Sequence, residues 1–206
     1  MTMPAALPPT VQMIQSMHSS HLQLRLPALR RETILRLQAC TRLTGKLSDL
    51  FPSETFQQPP AAQTACEALA LQTSHVIMQA GYRMSALTYW RELAKHVDKH
   101  SVTLIDSALG AELRLSAIRL GAQLAGHSPS PLTSPPTSTS PTEPQVLIRT
   151  LTDFAHSCLA RWHMTLRAEY RPVARLKLPA TNLPQAAAGH FDPVILYVAQ
   201  EITGHV

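Results

Sequence analysis

Residues 61–127 read AAQTACEALALQTSHVIMQAGYRMSALTYWRELAKHVDKHSVTLIDSALGAELRLSAIRLGAQLAGH. The stretch is free of proline: all seventeen prolines of the chain fall at or before Pro60, or at and after Pro129. From Leu71 onward, Leu71, His75, Met78, Tyr82, Ala86, Tyr89, Leu93 and Val97 recur at spacings of three and four. That spacing places them on one face of an amphipathic helix. Arg91, Lys95 and Asp98 fall elsewhere on the same wheel, which predicts a solvated polar side. The next segment carries two seams. Val102, Ile105, Leu109, Leu113, Leu120 and Leu124 form one; Leu104, Ala111, Leu115, Ile118, Ala122 and Ala125 form the other. Two apolar stripes on one helix predict burial on two sides. Gly81 and Gly110 each cost about 1 kcal/mol against alanine in a helix, and Gly81 is the expected bend. Ser101 is a candidate cap for a new helix, although nothing between Asp98 and Val102 demands a break.

Working outward, residues 1–9 are expected to be disordered, because Pro4, Pro8 and Pro9 bar regular structure. A first helix is predicted over residues 10–25, ended by Pro27, and a second over residues 28–50. The seam of the second is Leu29, Leu37, Cys40, Leu43, Leu47 and Phe51. Arg36 intrudes on it, and Ile34 and Leu35 lie off it as spare apolar surface. Residues 51–60 form a loop, and Pro60 suits the first turn of the central helix.

On the other side, residues 127–144 hold six prolines, five serines and four threonines in eighteen positions. Such a composition cannot bury enough apolar area to fold, so it reads as a linker. Its Ser-Pro pairs allow phosphorylation, but an unmodified spacer suits the composition better. The lobe beyond it, residues 145–206, opens with a helix over residues 145–170. Leu147, Ile148, Leu151, Ala155, Cys158, Trp162 and Leu166 form its inner face; Arg149, His156, His163 and Arg167 line the other. Pro172 and Pro179 are read as ending regular helix, which leaves residues 171–184 extended with Arg175 and Lys177 exposed. Asp192 followed by Pro193 is a helix start, and the last helix is predicted over residues 193–203. The fold class is therefore all-α: an irregular bundle of about five helices. Residues 10–126 make the body, and a Pro/Ser/Thr-rich linker precedes a C-terminal helical lobe.

Composition narrows the function. Of 206 residues, 45% are hydrophobic and 15% charged, the latter below the usual quarter. A helical chain with so few charges has apolar surface to cover, which favours a partner or an oligomer. The net charge of +5 is an N-terminal property: residues 1–48 carry Arg25, Arg30, Arg31, Arg36, Arg42 and Lys46 against Glu32 alone. A solvated helix face is the plain reading. Direct nucleic-acid binding is not expected, because no aromatic residue precedes Phe51 to stack on bases. No apolar run approaches the about 18 residues of a membrane span. No secretory signal is visible, and Cys40, Cys66 and Cys158 are odd in number and widely spaced. Free thiols in a reducing compartment, cytoplasm or nucleus, are expected. The first 31 residues lack any acid, which makes a mitochondrial transit peptide a minority reading, although no arginine precedes Arg25.

The chain lacks a P-loop, a dinucleotide-type glycine cluster, a Gly-x-Ser-x-Gly elbow and a Cys-x-x-Cys pair. His96 and His100 are weak metal candidates: at i and i+4 of one helix they would share a face. Asp98 would point away from them, and His75 would join only if the chain folded back. His18 and His21, three apart, lack a third ligand nearby. Tyr82, Tyr89 and Trp90 at helical spacing read as core rather than as a ligand pocket. The expectation is a non-catalytic helical adaptor or regulatory subunit, without a cofactor, acting on a protein partner or a second copy. Leu104, Leu115 and Ile118 are its candidate partner-binding residues. The alternatives are a regulatory module in transcription or a chromosome-associated complex without its own DNA-binding motif, and a small metal-dependent enzyme using His96 and His100.

Overall fold

A computed structural model describes residues 8–127, 143–180 and 193–204. Among them the chain forms twelve α-helices and no strand. The class is all-α, built from many short helices rather than about five long ones. No helix among the described residues is long and apolar enough to cross a membrane. Residues 1–7, most of the linker (128–142) and Asp192 lie outside the described residues.

The N-terminal layer consists of α1 (Pro9–Ser16), α2 (Ser19–Arg25), α3 (Arg31–Ala39) and α4 (Thr44–Ser48), with 3-10 turns at Thr41–Leu43 and Ser53–Phe56. The helix predicted over residues 10–25 is broken at Met17, whose extended backbone (φ −70°, ψ 159°) closes α1. His18 then caps α2, its Nδ1 accepting from the Ser20 N–H at 3.3 Å. The helix predicted over residues 28–50 is also divided, because Cys40 is extended. Ile14, Met17, Leu22, Ile34, Leu47 and Leu176 form the buried centre of this layer. Ile34 is thus core rather than spare surface, while Leu35 stays 47% exposed. Gln38, buried beside them, donates to the carbonyls of Ile14 (2.8 Å) and Met17 (2.7 Å) at the end of α1. Helix-end carbonyls lacking an intrahelical partner are satisfied this way.

The proline-free stretch is not one helix but five: α5 (Ala65–Ala70), α6 (Ser74–Thr88), α7 (Trp90–Lys95), α8 (Lys99–Leu109) and α9 (Ala111–His127). Most of the divisions have a local cause. Thr64 and Thr73 cap α5 and α6, their hydroxyls accepting from the N–H of Glu67 and Val76. Asp98, not Ser101, caps α8: its carboxylate accepts the Ser101 N–H at 2.9 Å. Gly110 (φ 92°) separates α8 from α9 in a conformation that only glycine adopts cheaply. Gly81, the expected bend, instead lies inside α6. A Cβ there would sit 2.7 Å from Leu159 Cγ, so glycine serves close helix contact at that point.

The C-terminal helices are α10 (Pro144–Thr165), α11 (Arg171–Lys177) and α12 (Pro193–Thr203). Prolines in the first turn open α1, α10 and α11, and Pro193 begins α12, as the fixed φ of proline favours. This corrects the reading of residues 171–184 as extended where the structure describes them: residues 171–177 are helical and Pro172 starts a helix rather than ending one, while residues 181–184 lie outside the described residues. It also corrects the exposure expected of Lys177, which is buried, and of Arg175, which is half-buried.

α10 packs along α6, α12 against α5 and α6, and α9 against α6 and α7. One hydrophobic cluster runs through all of them, from Leu69 and Ile77 through Leu151, Leu159 and Trp162 to Ile195 and Val198. The C-terminal helices therefore share a core with the proline-free stretch. Hydrogen bonds fix their register: Ser85 Oγ donates to Leu151 O at 2.8 Å, and Trp162 Nε1 to Cys66 O at 3.2 Å. Tyr89 and Phe154 meet edge to face, with centroids 5.3 Å apart. α11 bridges the two layers, with Leu176 in the small cluster and Ala174 and Leu178 in the large one.

Candidate functional site

The Gly110 corner decides the fate of the second apolar seam. Because α8 and α9 are separate helices packed on each other, Leu104 does not continue the row of Leu115 and Ile118. Arg114 clamps the corner, donating to both carboxylate oxygens of Asp106 at 2.6 and 3.2 Å. Leu104 is half-buried, Leu115 is 46% exposed, and Ile118 is half-buried against the main cluster. Ala111 and Ala122, on the same side of α9 as Leu115, are exposed. The first seam is covered better: Ile105 is fully buried, and Val102, Leu109, Leu113 and Leu120 are half-buried. Of the three residues singled out from the sequence, Leu115 alone is exposed.

His96 and His100 do not share a helix face. His96 closes α7 with an extended backbone (φ −84°, ψ 97°) and is buried; His100 is exposed in the first turn of α8. The i, i+4 geometry needs one continuous helix, and the break before Asp98 removes it. Asp98 is engaged as a cap, and the Ser101 hydrogen bonds hold its carboxyl below the usual range. His75 is exposed at the start of α6. Among the described residues no three His, Cys, Asp or Glu side chains are grouped to hold a metal ion. Cys40, Cys66 and Cys158 are free thiols, and burial pushes the Cys66 thiol up.

The buried polar groups are structural. Among the described residues, no buried side-chain nitrogen or oxygen lacks a hydrogen bond. Glu67, in α5, accepts a two-pronged ion pair from Arg167 and the Gln63 N–H at 2.8 Å. The Arg167 bonds lower its pKa against the opposing effect of burial. Lys177 Nζ donates to Ala70 O at 3.0 Å, at the end of α5, and burial lowers its pKa to about 8.

One cleft is large. It lies where the junction of α1 and α2, the outer side of α3 and the first turn of α6 meet, and encloses about 640 Å³. Arg31 and Leu35 of α3, His18, and Ser74, His75 and Met78 of α6 are among its walls. Among the described residues, no aspartate or glutamate lines it. Burial, His21, Arg31 and His156 together lower the pKa of His18, so the charged neighbours acting on that ring are all basic. A second cavity of about 340 Å³ lies between α6 and the Gly110 corner, beside Tyr82, Arg83 and Glu112. The larger cleft was missed in the sequence because it joins segments some sixty residues apart. Its traces there were the basic N-terminal third and Leu35 lying off its seam.

No protein-family model matches the chain, and no match is found among curated proteins or solved structures.

Proposed function

We propose that the chain is a non-catalytic helical adaptor or regulatory subunit, and that the outer side of α9 receives a helix of a protein partner. The observation that carries this reading is Leu115, 46% exposed on a helix surface where Ala111 and Ala122 are exposed too. Positions 111, 115 and 122 fall on one helical stripe. Alanines on either side of a leucine leave a shallow face on which a second helix can approach closely. Full burial of one leucine contributes about 2 kcal/mol. Glu112 and Arg119, exposed beside the stripe, offer both signs of charge to fix the partner's register.

The test is affinity purification with mass spectrometry on the tagged full chain and on Leu115→Arg. A protein recovered with the wild type and lost from the variant supports the reading. A monodisperse monomer by light scattering, with no protein recovered or with recovery indifferent to Leu115→Arg, refutes it.

A further inference from the structure

We propose that the cleft between the N-terminal layer and the start of α6 binds a small amphipathic oxyanion: a phosphate or carboxylate head on an apolar body. Its volume of about 640 Å³ is that of a small-molecule site, and it sits between two hydrophobic clusters, where such sites concentrate. The charge of its walls has one sign. Arg31 is exposed and, among the described residues, has no carboxylate partner. His18 and His75 line the same space, and among the described residues no acidic residue does.

The first turn of α6 adds donors. Thr73 satisfies the N–H groups of Val76 and Ile77 through its hydroxyl and carbonyl. The N–H groups of Ser74 and His75 lack an intrahelical partner, as in the first turn of any helix, and both residues line the cleft at the positive end of a fifteen-residue helix. A guanidinium together with free backbone N–H groups recognises an oxyanion through charge-assisted hydrogen bonds. The remaining wall is apolar. Leu35, 47% exposed, and half-buried Met78 both line the cleft. An inorganic ion would leave that wall against water, so the ligand that fits carries an apolar body as well as a charged head.

The experiment is isothermal titration calorimetry on the full chain with phenyl phosphate, benzoate, inorganic phosphate and phenol. Saturable one-to-one binding is expected for phenyl phosphate or benzoate, and whichever binds identifies the head group. Inorganic phosphate binds more weakly and phenol not at all. Arg31→Gln weakens the favoured anion by about tenfold, the loss of one charged hydrogen bond. Leu35→Ser weakens the aromatic anions and leaves inorganic phosphate unchanged. Both side chains are exposed, and unchanged circular dichroism and melting confirm that the variants fold. Leu115→Arg, on the other layer, leaves binding intact, which separates this proposal from the partner reading. The proposal is overturned by no saturable binding of either aromatic anion, by phenol binding as tightly, or by affinity indifferent to Arg31→Gln. Inorganic phosphate binding as tightly as phenyl phosphate also overturns it.

Discussion

The two hydrophobic clusters are unequal, and their inequality governs how the molecule comes apart. The N-terminal layer closes on six buried side chains, one of them Leu176 lent by α11. All six of its Arg and Lys residues among 1–48 are exposed. The larger cluster encloses Trp162, Tyr89 and Tyr170, each 2% exposed or less; Trp162 donates to the Cys66 carbonyl in α5, and Tyr170 to the Pro60 carbonyl in the loop before it. Among the described residues, the bonds that join the layers include His18 N–H to Leu176 O (2.9 Å), His21 Nε2 to the carbonyls of Arg175 and Leu178, and Ala180 N–H to Ser20 Oγ (2.7 Å). The large cluster should therefore set global stability, and the small one should open by itself.

Trp162→Ala is expected to have the largest effect. It empties the centre of the larger cluster and leaves the Cys66 carbonyl without its donor. A loss of about 4 kcal/mol is expected in denaturant titration, with both layers unfolding together. A loss under about 1 kcal/mol would place the centre of stability elsewhere.

Ile34→Ala comes next. Ile34 is fully buried, and the truncation should cost about 3 kcal/mol locally. Hydrogen exchange is expected to accelerate at the amides of α1 to α4, with α6 and α10 keeping their protection, because subglobal opening follows contiguous packing units. Equal acceleration in α10 would show that the layers unfold as one.

The same division explains what the sequence made legible. The inner face of α10 was largely legible: Leu147, Leu151, Ala155, Cys158 and Trp162 are buried, as is Leu166 at the C-cap, while Ile148 is half-buried and the helix ends at Thr165 rather than at 170. The last helix ends where its periodicity stops, at Thr203. Both are single helices whose apolar phase is never reset. The proline-free stretch resets its phase at each break, so a stripe drawn from Leu71 to Val97 joins residues that do not share a face. Leu71 is 43% exposed and Val97 84% exposed, while Ile77, Ala80 and Met84, off that stripe, are fully buried. The breaks rest on side-chain caps at Thr73 and Asp98 and on Gly110, residues that are tolerated inside helices at modest cost. The candidate sites were less legible still. Leu115 is open because of a turn at Gly110, and the cleft depends on how α3 meets α6. Local periodicity encodes neither.

Lys177→Met tests the bridge between the layers and should act in the opposite direction. With its pKa lowered to about 8 by burial, the charged ammonium is disfavoured in the folded chain by about 3 kcal/mol at neutral pH. Losing the bond to Ala70 O costs about 1 kcal/mol, so the variant should be more stable by about 2 kcal/mol. Between about pH 8 and pH 10.5 the unfolded chain keeps a proton that the folded chain has shed, so wild-type stability rises with pH across that window. The variant loses this rise. Denaturant midpoints at several pH values measure both, and a destabilised Lys177→Met would show that the cap on α5 outweighs the buried charge.

The smallest effect expected is the most specific to the junction. Burial lowers the pKa of His21 and of its neighbour His18, against the two carbonyls that accept from His21 Nε2 and together with the charge of Arg175. A histidine with a lowered folded pKa is neutral when the fold is most stable. Its contribution is complete above the unfolded value of about 6.5 and is lost as pH falls below it toward the folded value. His163 shares this direction, through burial first, but its ring Nε2 donates within the larger layer, to Arg171 O at 3.1 Å. Acidification from about pH 7 to pH 5 should therefore lower the protection of α2 amides, relative to their intrinsic exchange rates, before it disturbs the fluorescence of Trp90 and Trp162. His21→Gln keeps a donor for the carbonyls and removes its own share of the titration, leaving that of His18, so it should reduce the acid response of α2. If tryptophan fluorescence and α2 protection moved together in the wild type and in His21→Gln, the junction would not be the first part to yield. The layers would then be held by Leu176 and its neighbours rather than by the imidazole between them.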